Sequence, residues 1–232
     1  LAANVDVVFV TAPIAGPPNL RRIERELSLA WESGAAPVVV LTKADLCDDP
    51  QAVRAAVEAV APGAEVLVTR ALEAGGVAAL RERLAGALTA VLIGPSGAGK
   101  STLVNALLGE ERQATLAVRV SDGRGRHVTV ARELIALPGG GVLIDTPGLR
   151  ELGLTGTEDG IGATFPEIEH AALGCRFRDC THRDEPGCAV RAAVEDGTLP
   201  RERLASYHKL RREAESAARR SDARLRAEEE RR

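Results

Sequence analysis

"GPSGAGKST", residues 94–102, decides how the rest of the chain is read. Residues 94–101 fit G-x-x-x-x-G-K-[ST], with an apolar, strand-like run at 90–93 before them and a helical pattern at 100–108 after them. The motif requires that setting of strand, loop and helix. Glycines let backbone N–H groups turn inward and wrap a phosphate, and the helix N-terminus adds a partial positive charge. The candidate phosphate contacts are Gly94, Ser96, Gly97, Ala98, Gly99, Lys100, Ser101 and Thr102. Lys100 is the side chain expected to reach the β- and γ-phosphates during the reaction, and the Ser101 hydroxyl is the expected Mg2+ ligand.

Working outward, short β-branched apolar runs alternate with helical stretches, the pattern of a parallel sheet built from βαβ units. Strands are expected at 6–10, 38–41, 65–68, 90–93, 133–137 and 142–144, and helices at 21–33, 51–60, 77–87 and 100–108. The fold class is therefore α/β, a doubly wound sheet. Residues 1–154 form the expected nucleotide-binding domain, with the polar, glycine-interrupted stretch 114–130 as a loop. "DTPG", residues 145–148, follows the apolar strand "GVLI". Asp145 at a strand end suits Mg2+ held through water, and the Gly148 N–H suits the γ-phosphate, so the motif senses whether that phosphate is present.

"LTKADL", residues 41–46, lies ahead of the phosphate loop. The Asp45 carboxylate offers two acceptors that match the N1–H and N2–H2 donors of guanine, and a site built on such pairs discriminates strongly. The Lys43 stem can cover the base plane. The usual first residue of this element is Asn; Thr42 stands in its place as a candidate nucleotide contact, and a hydroxyl reproduces only some of an amide's hydrogen bonds. "VTRA", residues 68–71, is a candidate for a backbone contact to the guanine carbonyl. In most GTPases the phosphate loop comes first. A doubly wound sheet gathers ligands at the carboxyl ends of its strands whatever the chain order, and joining old termini leaves a pocket intact. The order base reader, phosphate loop, "DTPG" describes a circularly permuted GTPase.

Past residue 155 the strand pattern stops and a small helical module, residues 155–232, is expected, with little apolar mass of its own. Three of the four cysteines fall in it, and Cys175, Cys180, His182 and Cys188 follow C-x4-C-x-H-x5-C. In a reducing compartment such a cluster argues for metal over disulfides. Three thiolates and an imidazole close a tetrahedral set of the kind that holds one structural Zn2+ with no open position. Metal is then expected to supply much of the module's folding energy. Cys47 reads as a plain buried thiol. Residues 201–232 carry eleven Lys/Arg against seven Asp/Glu, and a helix laced with i,i+4 pairs is the expectation there.

The formal net charge of −3 announces no global field for nucleic acid, so any RNA contact must come from a local patch such as Arg176, Arg178, Arg183 and Lys209. No run of about 18 apolar residues exists, and "LAANVDVVFV" lacks a basic leader, so no membrane partner is expected and the expected compartment is the cytosol.

The permuted order, "GPSGAGKST", "GRGRHVTV" (residues 123–130), "DTPGLRE" (145–151) and "CRFRDCTHRDEPGCAV" (175–190) together resemble the small-ribosomal-subunit-dependent GTPase A (RsgA, or YjeQ) family over nearly the whole chain. The resemblance implies hydrolysis of GTP to GDP and phosphate, a monomer that works in late maturation of the small ribosomal subunit on its 16S rRNA, and stimulation by the ribosome. It also implies an OB-fold domain ahead of the nucleotide-binding domain; no such segment is visible in these 232 residues. "GRGRHVTV" matches the family's "GRHTTT", with valines in place of the outer threonines. His127 is thereby the candidate water-positioning group and Thr129, the one hydroxyl left in that run, the candidate switch ligand for Mg2+. Leu149 occupies the place where many GTPases carry a water-orienting Gln, so intrinsic hydrolysis is expected to be slow.

Overall fold

A computed structural model describes residues 4–109, 133–145 and 158–229, with side chains for 4–109, 134–144 and 159–220. Two compact units divide the chain, Leu1–Leu152 and Gly153–Arg232.

In the first unit, β1 (Val7–Pro13), β2 (Ala36–Thr42), β3 (Glu65–Val68), β4 (Gly86–Ile93), β5 (Glu133–Ala136) and β6 (Gly140–Asp145) form one six-stranded sheet in the order β3-β2-β1-β4-β6-β5. The helices are α1 (Leu20–Glu32), α2 (Pro50–Glu58), α3 (Ala78–Leu84) and α4 (Lys100–Leu108). β1 and β2 read as nearly unbroken apolar runs because both of their faces are covered. On one face, Val8, Val10 and Val39 pack against Ile23 and Leu27 of α1 and Val57 of α2. On the other, Phe9, Val38 and Val40 pack against Leu80 and Leu84 of α3 and Leu103 and Leu107 of α4. Local chemistry sets the helix starts. Asn19 caps α1 by accepting from the Arg22 N–H at 3.1 Å, and Asp49 caps α2 by accepting from the Gln51 and Ala52 N–H groups, with Pro50 at the first helical position.

Two expectations for this unit need correction. The sheet is mixed, since β5 runs antiparallel to β6 at the edge, where a short turn joins them. The helix expected over 77–87 ends at Leu84, and β4 begins at Gly86, four residues earlier than read. Ala85 already has extended ψ and Gly86 a φ of +103°, and Gly86 pairs with Gly140 of β6. Pairing with the neighbouring strand overrides the helical pattern of "LAGAL".

Renumbered from β4, the strand order from β5 to β3 reads 2-3-1-4-5-6. β1 and β4 are parallel neighbours, yet their following helices cover opposite faces of the sheet. The gap between their carboxyl ends is the topological switch point, where doubly wound sheets bind ligands.

The second unit holds α5 (Glu158–Thr164), α6 (Pro166–Ala172), α7 (Ala189–Glu195) and α8 (Arg201–Glu229). The expectation of little apolar mass is wrong here. Phe165, Ile168 and Val190 are fully buried, and Phe165 meets Tyr207 edge to face with centroids 5.6 Å apart. The buried Arg203 stacks over Phe165 at 4.3 Å, bonds Glu167 at 2.7 Å and donates to the Thr164 carbonyl at 3.0 Å. The unit therefore has an apolar and ionic core beside its cysteines. Among the described residues, no helix is long and apolar enough to cross a membrane.

Candidate functional site

The loop after β4 has the shape its glycines allow. Gly94, Gly97 and Gly99 take φ of +140°, +76° and +87°, and Gly99 is the N-cap of α4. Ala98 between them is fully buried, while Ser96 and Gly97 face solvent and Lys100, Ser101 and Thr102 are half-buried. Lys100 Nζ donates to the Gly94 and Pro95 carbonyls at 2.8 and 2.7 Å, so the ammonium lies folded into its own loop. The start of the loop is pinned to β1: the Thr11 hydroxyl donates to the Ile93 carbonyl at 2.6 Å, and Gly94 approaches Thr11 so closely that a Cβ would lie 2.1 Å from Thr11 Oγ1. Sequence reading missed Thr11, whose only signal is a hydroxyl closing an apolar strand.

The base-reading loop leaves β2 at the same edge. Lys43 takes the left-handed conformation, φ +59° and ψ +36°, and a single 3-10 turn at Ala44–Leu46 presents Asp45 to solvent. The loop after β3 braces that turn, with the Ala44 N–H reaching the Thr69 carbonyl at 3.4 Å and the Thr69 hydroxyl bonding the Leu41 carbonyl at 2.9 Å. This puts "VTRA" beside the base reader. The two loops also touch: the Thr42 hydroxyl donates to the Ala98 carbonyl at 2.6 Å. Thr42, expected to contact the nucleotide, is 3% exposed and faces the phosphate loop. Asp145 is the last residue of β6, which pairs with β4 up to Val91 and Ile144, so its backbone ends beside the strand that enters the phosphate loop. His127, Thr129 and Gly148 lie outside the described residues.

In the second unit, the donor atoms of Cys175, Cys180, His182 and Cys188 all lie within 4.8 Å of one another. His182 Nδ1 is 3.6 Å from Cys175 Sγ and 3.5 Å from Cys188 Sγ, and the two sulfurs are 3.9 Å apart. Tetrahedral zinc, with Zn–S of about 2.3 Å and Zn–N of about 2.05 Å, calls for edges of about 3.6 Å (N to S) and 3.8 Å (S to S). The three edges among Cys175, His182 and Cys188 match these values, and the four-residue set is compatible with one zinc ion. Burial keeps the His182 imidazole below the usual histidine range, which favours the neutral ligand form. Without a cation between them, burial and the neighbouring thiols push Cys180 up to about 11, while, against burial, backbone N–H groups at Val190 and Ala189 draw Cys175 down. Cys47 lies far from these in sequence, half-buried against the core of the first unit.

Sequence reading also passed over Glu185. Its carboxylate accepts from the N–H and hydroxyl of Thr181 and from the N–H groups of Arg183 and Asp184. These bonds bracket His182, which sits at a φ of +61°. They hold the Glu185 carboxyl far below the usual carboxylate range. Cys188 caps α7, its sulfur accepting from the Arg191 N–H at 3.4 Å.

A P-loop at the switch point, fused by hydrogen bond to a Lys-x-Asp loop that precedes it in the chain, defines the class: a circularly permuted P-loop nucleotide-binding domain. The family model for the RsgA GTPase matches residues 1–155, and the chain belongs to that family. The Small ribosomal subunit biogenesis GTPase RsgA of Streptomyces coelicolor is 54% identical over 231 residues, which cover 98% of this chain and 63% of the relative. That of Opitutus terrae is 52% identical, covering 100% of this chain and 64% of the relative. The chain thus spans a little under two thirds of these relatives. The crystal structure of YjeQ from Thermotoga maritima matches with a TM-score of 0.67 at 30% identity, covering 91% of this chain and 72% of that one. YloQ, described as a circularly permuted GTPase, matches with a TM-score of 0.66 at 29% identity, covering 92% of this chain and 69% of that one.

Proposed function

We propose that this chain binds guanine nucleotide at the carboxyl edge of its sheet and hydrolyses GTP to GDP and phosphate during maturation of the small ribosomal subunit. The observation that carries the reading is the bonding of the Asp45 loop to the phosphate loop through Thr42 and Ala98. One ligand long enough to span a base and its phosphates is what such a pair of loops suits.

In this reading Asp45 takes the N1–H and N2–H2 of guanine, Lys43 covers the base, and the backbone N–H groups at 96–102 grip the phosphates. Lys100 exchanges its contacts with the Gly94 and Pro95 carbonyls for the β- and γ-phosphates. Ser101, Thr129 and, through water, Asp145 are the residues that would hold Mg2+, which when bound neutralises charge building on the phosphates. Gly148 senses the γ-phosphate and His127 orients the attacking water. With Leu149 unable to orient water, the unstimulated rate is slow. Family membership and the names of the relatives support the small ribosomal subunit as the partner. In this reading the chain works on the 16S rRNA of that subunit, as a monomer in the cytoplasm. Cys175, Cys180, His182 and Cys188 hold one structural Zn2+.

Phosphate release from GTP, measured with and without purified small subunits, tests the reading. It predicts slow turnover alone and acceleration with subunits; turnover that small subunits leave unchanged contradicts it.

A further inference from the structure

We propose that Thr42 is a positioning residue: its hydroxyl locks the phosphate loop to the base-reading strand and takes no part in reading the base. The inference deepens the guanine-nucleotide reading and rests on it. A hydroxyl carries one proton, and that of Thr42 is given to the Ala98 carbonyl at 2.6 Å between two buried residues. No side-chain donor remains on Thr42 for the acceptor atoms of guanine, where the amide of an Asn has two. The donors of guanine are left to Asp45.

The bond also orients the loop. Ala98 stands between Gly97 and Gly99, both at positive φ, where glycine gives the backbone freedom to turn its peptide planes. A trans peptide directs its C=O and the following N–H to opposite sides. Tying the Ala98 carbonyl to Thr42 therefore aims the Gly99 N–H away from Thr42, to the side on which the nucleotide reading sets the phosphates. Thr42 makes this contact one residue before Lys43 and three before Asp45, on a strand whose exit is itself braced by Thr69. Base reader and phosphate cradle thus share one short piece of backbone. Thr11, which bonds the Ile93 carbonyl, anchors the start of the loop independently.

The test compares GDP with IDP, which lacks the 2-amino group, by calorimetric titration of the full chain with Mg2+. Thr42→Val keeps the shape and leaves the buried Ala98 carbonyl without its donor. GDP and IDP affinities are expected to fall together, by about 5- to 100-fold, with their ratio unchanged. Thr42→Ser holds wild-type affinity within about threefold, and Thr42→Cys, a weak donor, falls between, each with the wild-type ratio; these two carry the test if the valine variant does not fold. Asp45→Ala serves as the contrast and collapses the ratio. A changed GDP-to-IDP ratio in any folded Thr42 variant, or unchanged affinity in Thr42→Val, overturns the proposal. Failure of the wild-type chain to bind GDP overturns the nucleotide reading and the proposal with it.

Discussion

Replacing Gly94 with alanine puts one methyl group against Thr11 of β1. The new Cβ would lie 2.1 Å from Thr11 Oγ1 and 2.5 Å from the Thr11 carbonyl oxygen, at a φ of +140° that L-residues avoid. Ordinary contacts at such atoms exceed about 3 Å, so the overlap is roughly 1 Å. Thr11 cannot swing aside, because it is fully buried and its hydroxyl is bound to the Ile93 carbonyl. Backbone strain costs about 1 to 3 kcal/mol and overpacking about as much again, so a loss of about 2 to 6 kcal/mol is expected, a large part of the stability of a typical domain. Urea denaturation reads the stability, and GDP titration at a temperature where the variant stays folded reads the site, where binding is expected to be lost. Adding Thr11→Ala removes the nearer clash but leaves the carbonyl contact and gives up the bond to Ile93, so the double variant recovers only part of the loss. A Gly94→Ala protein that unfolds within about 0.5 kcal/mol of wild type and binds GDP within twofold would refute the close-approach argument.

Other outcomes are expected from the same geometry. Asp45→Asn reverses one acceptor into a donor, so affinity should move from GDP towards xanthosine diphosphate, whose 2-oxo group accepts; calorimetry that finds GDP preference intact contradicts the base-reading role. Cys180→Ser should lower the zinc content found by elemental analysis and reduce the helical signal and melting temperature of the C-terminal unit, although the core around Phe165 and Tyr207 keeps it from unfolding outright; full zinc occupancy with unchanged melting would refute the ligand set. Glu185→Gln weakens the bracket around His182, and competition with a chromophoric chelator should show zinc affinity reduced about 10- to 100-fold; unchanged affinity would leave the bracket without consequence for the metal.

Much of this architecture was legible in the sequence where a residue's role follows from local chemistry. The phosphate loop needs glycines at fixed places, and the loop carries them at positive φ. The four-residue metal pattern converges as its spacing implies. What escaped reading depends on neighbours far away in the chain. The antiparallel turn of β5 against β6 and the early start of β4 at Gly86 follow from strand pairing, which periodicity over a single segment cannot register. Thr42 was read as a nucleotide contact because its motif implies one; only the proximity of Ala98, 56 residues on, reveals the partner its hydroxyl chose. The core of the second unit was underestimated because Phe165 and Tyr207 stand 42 positions apart in a polar context and meet only after folding. Glu185 escaped because a carboxylate in a turn looks solvated until its four donors are seen.

The central claim is that the Asp45 turn and the Gly94–Ser101 loop close on one guanine nucleotide. Titrating the wild-type chain with GDP and with ADP under identical Mg2+ tests it most directly. The account predicts one site per chain with GDP bound at least about 100-fold more tightly than ADP, since adenine leaves the carboxylate unpaired. Equal affinity for the two nucleotides, or binding of neither, would contradict it.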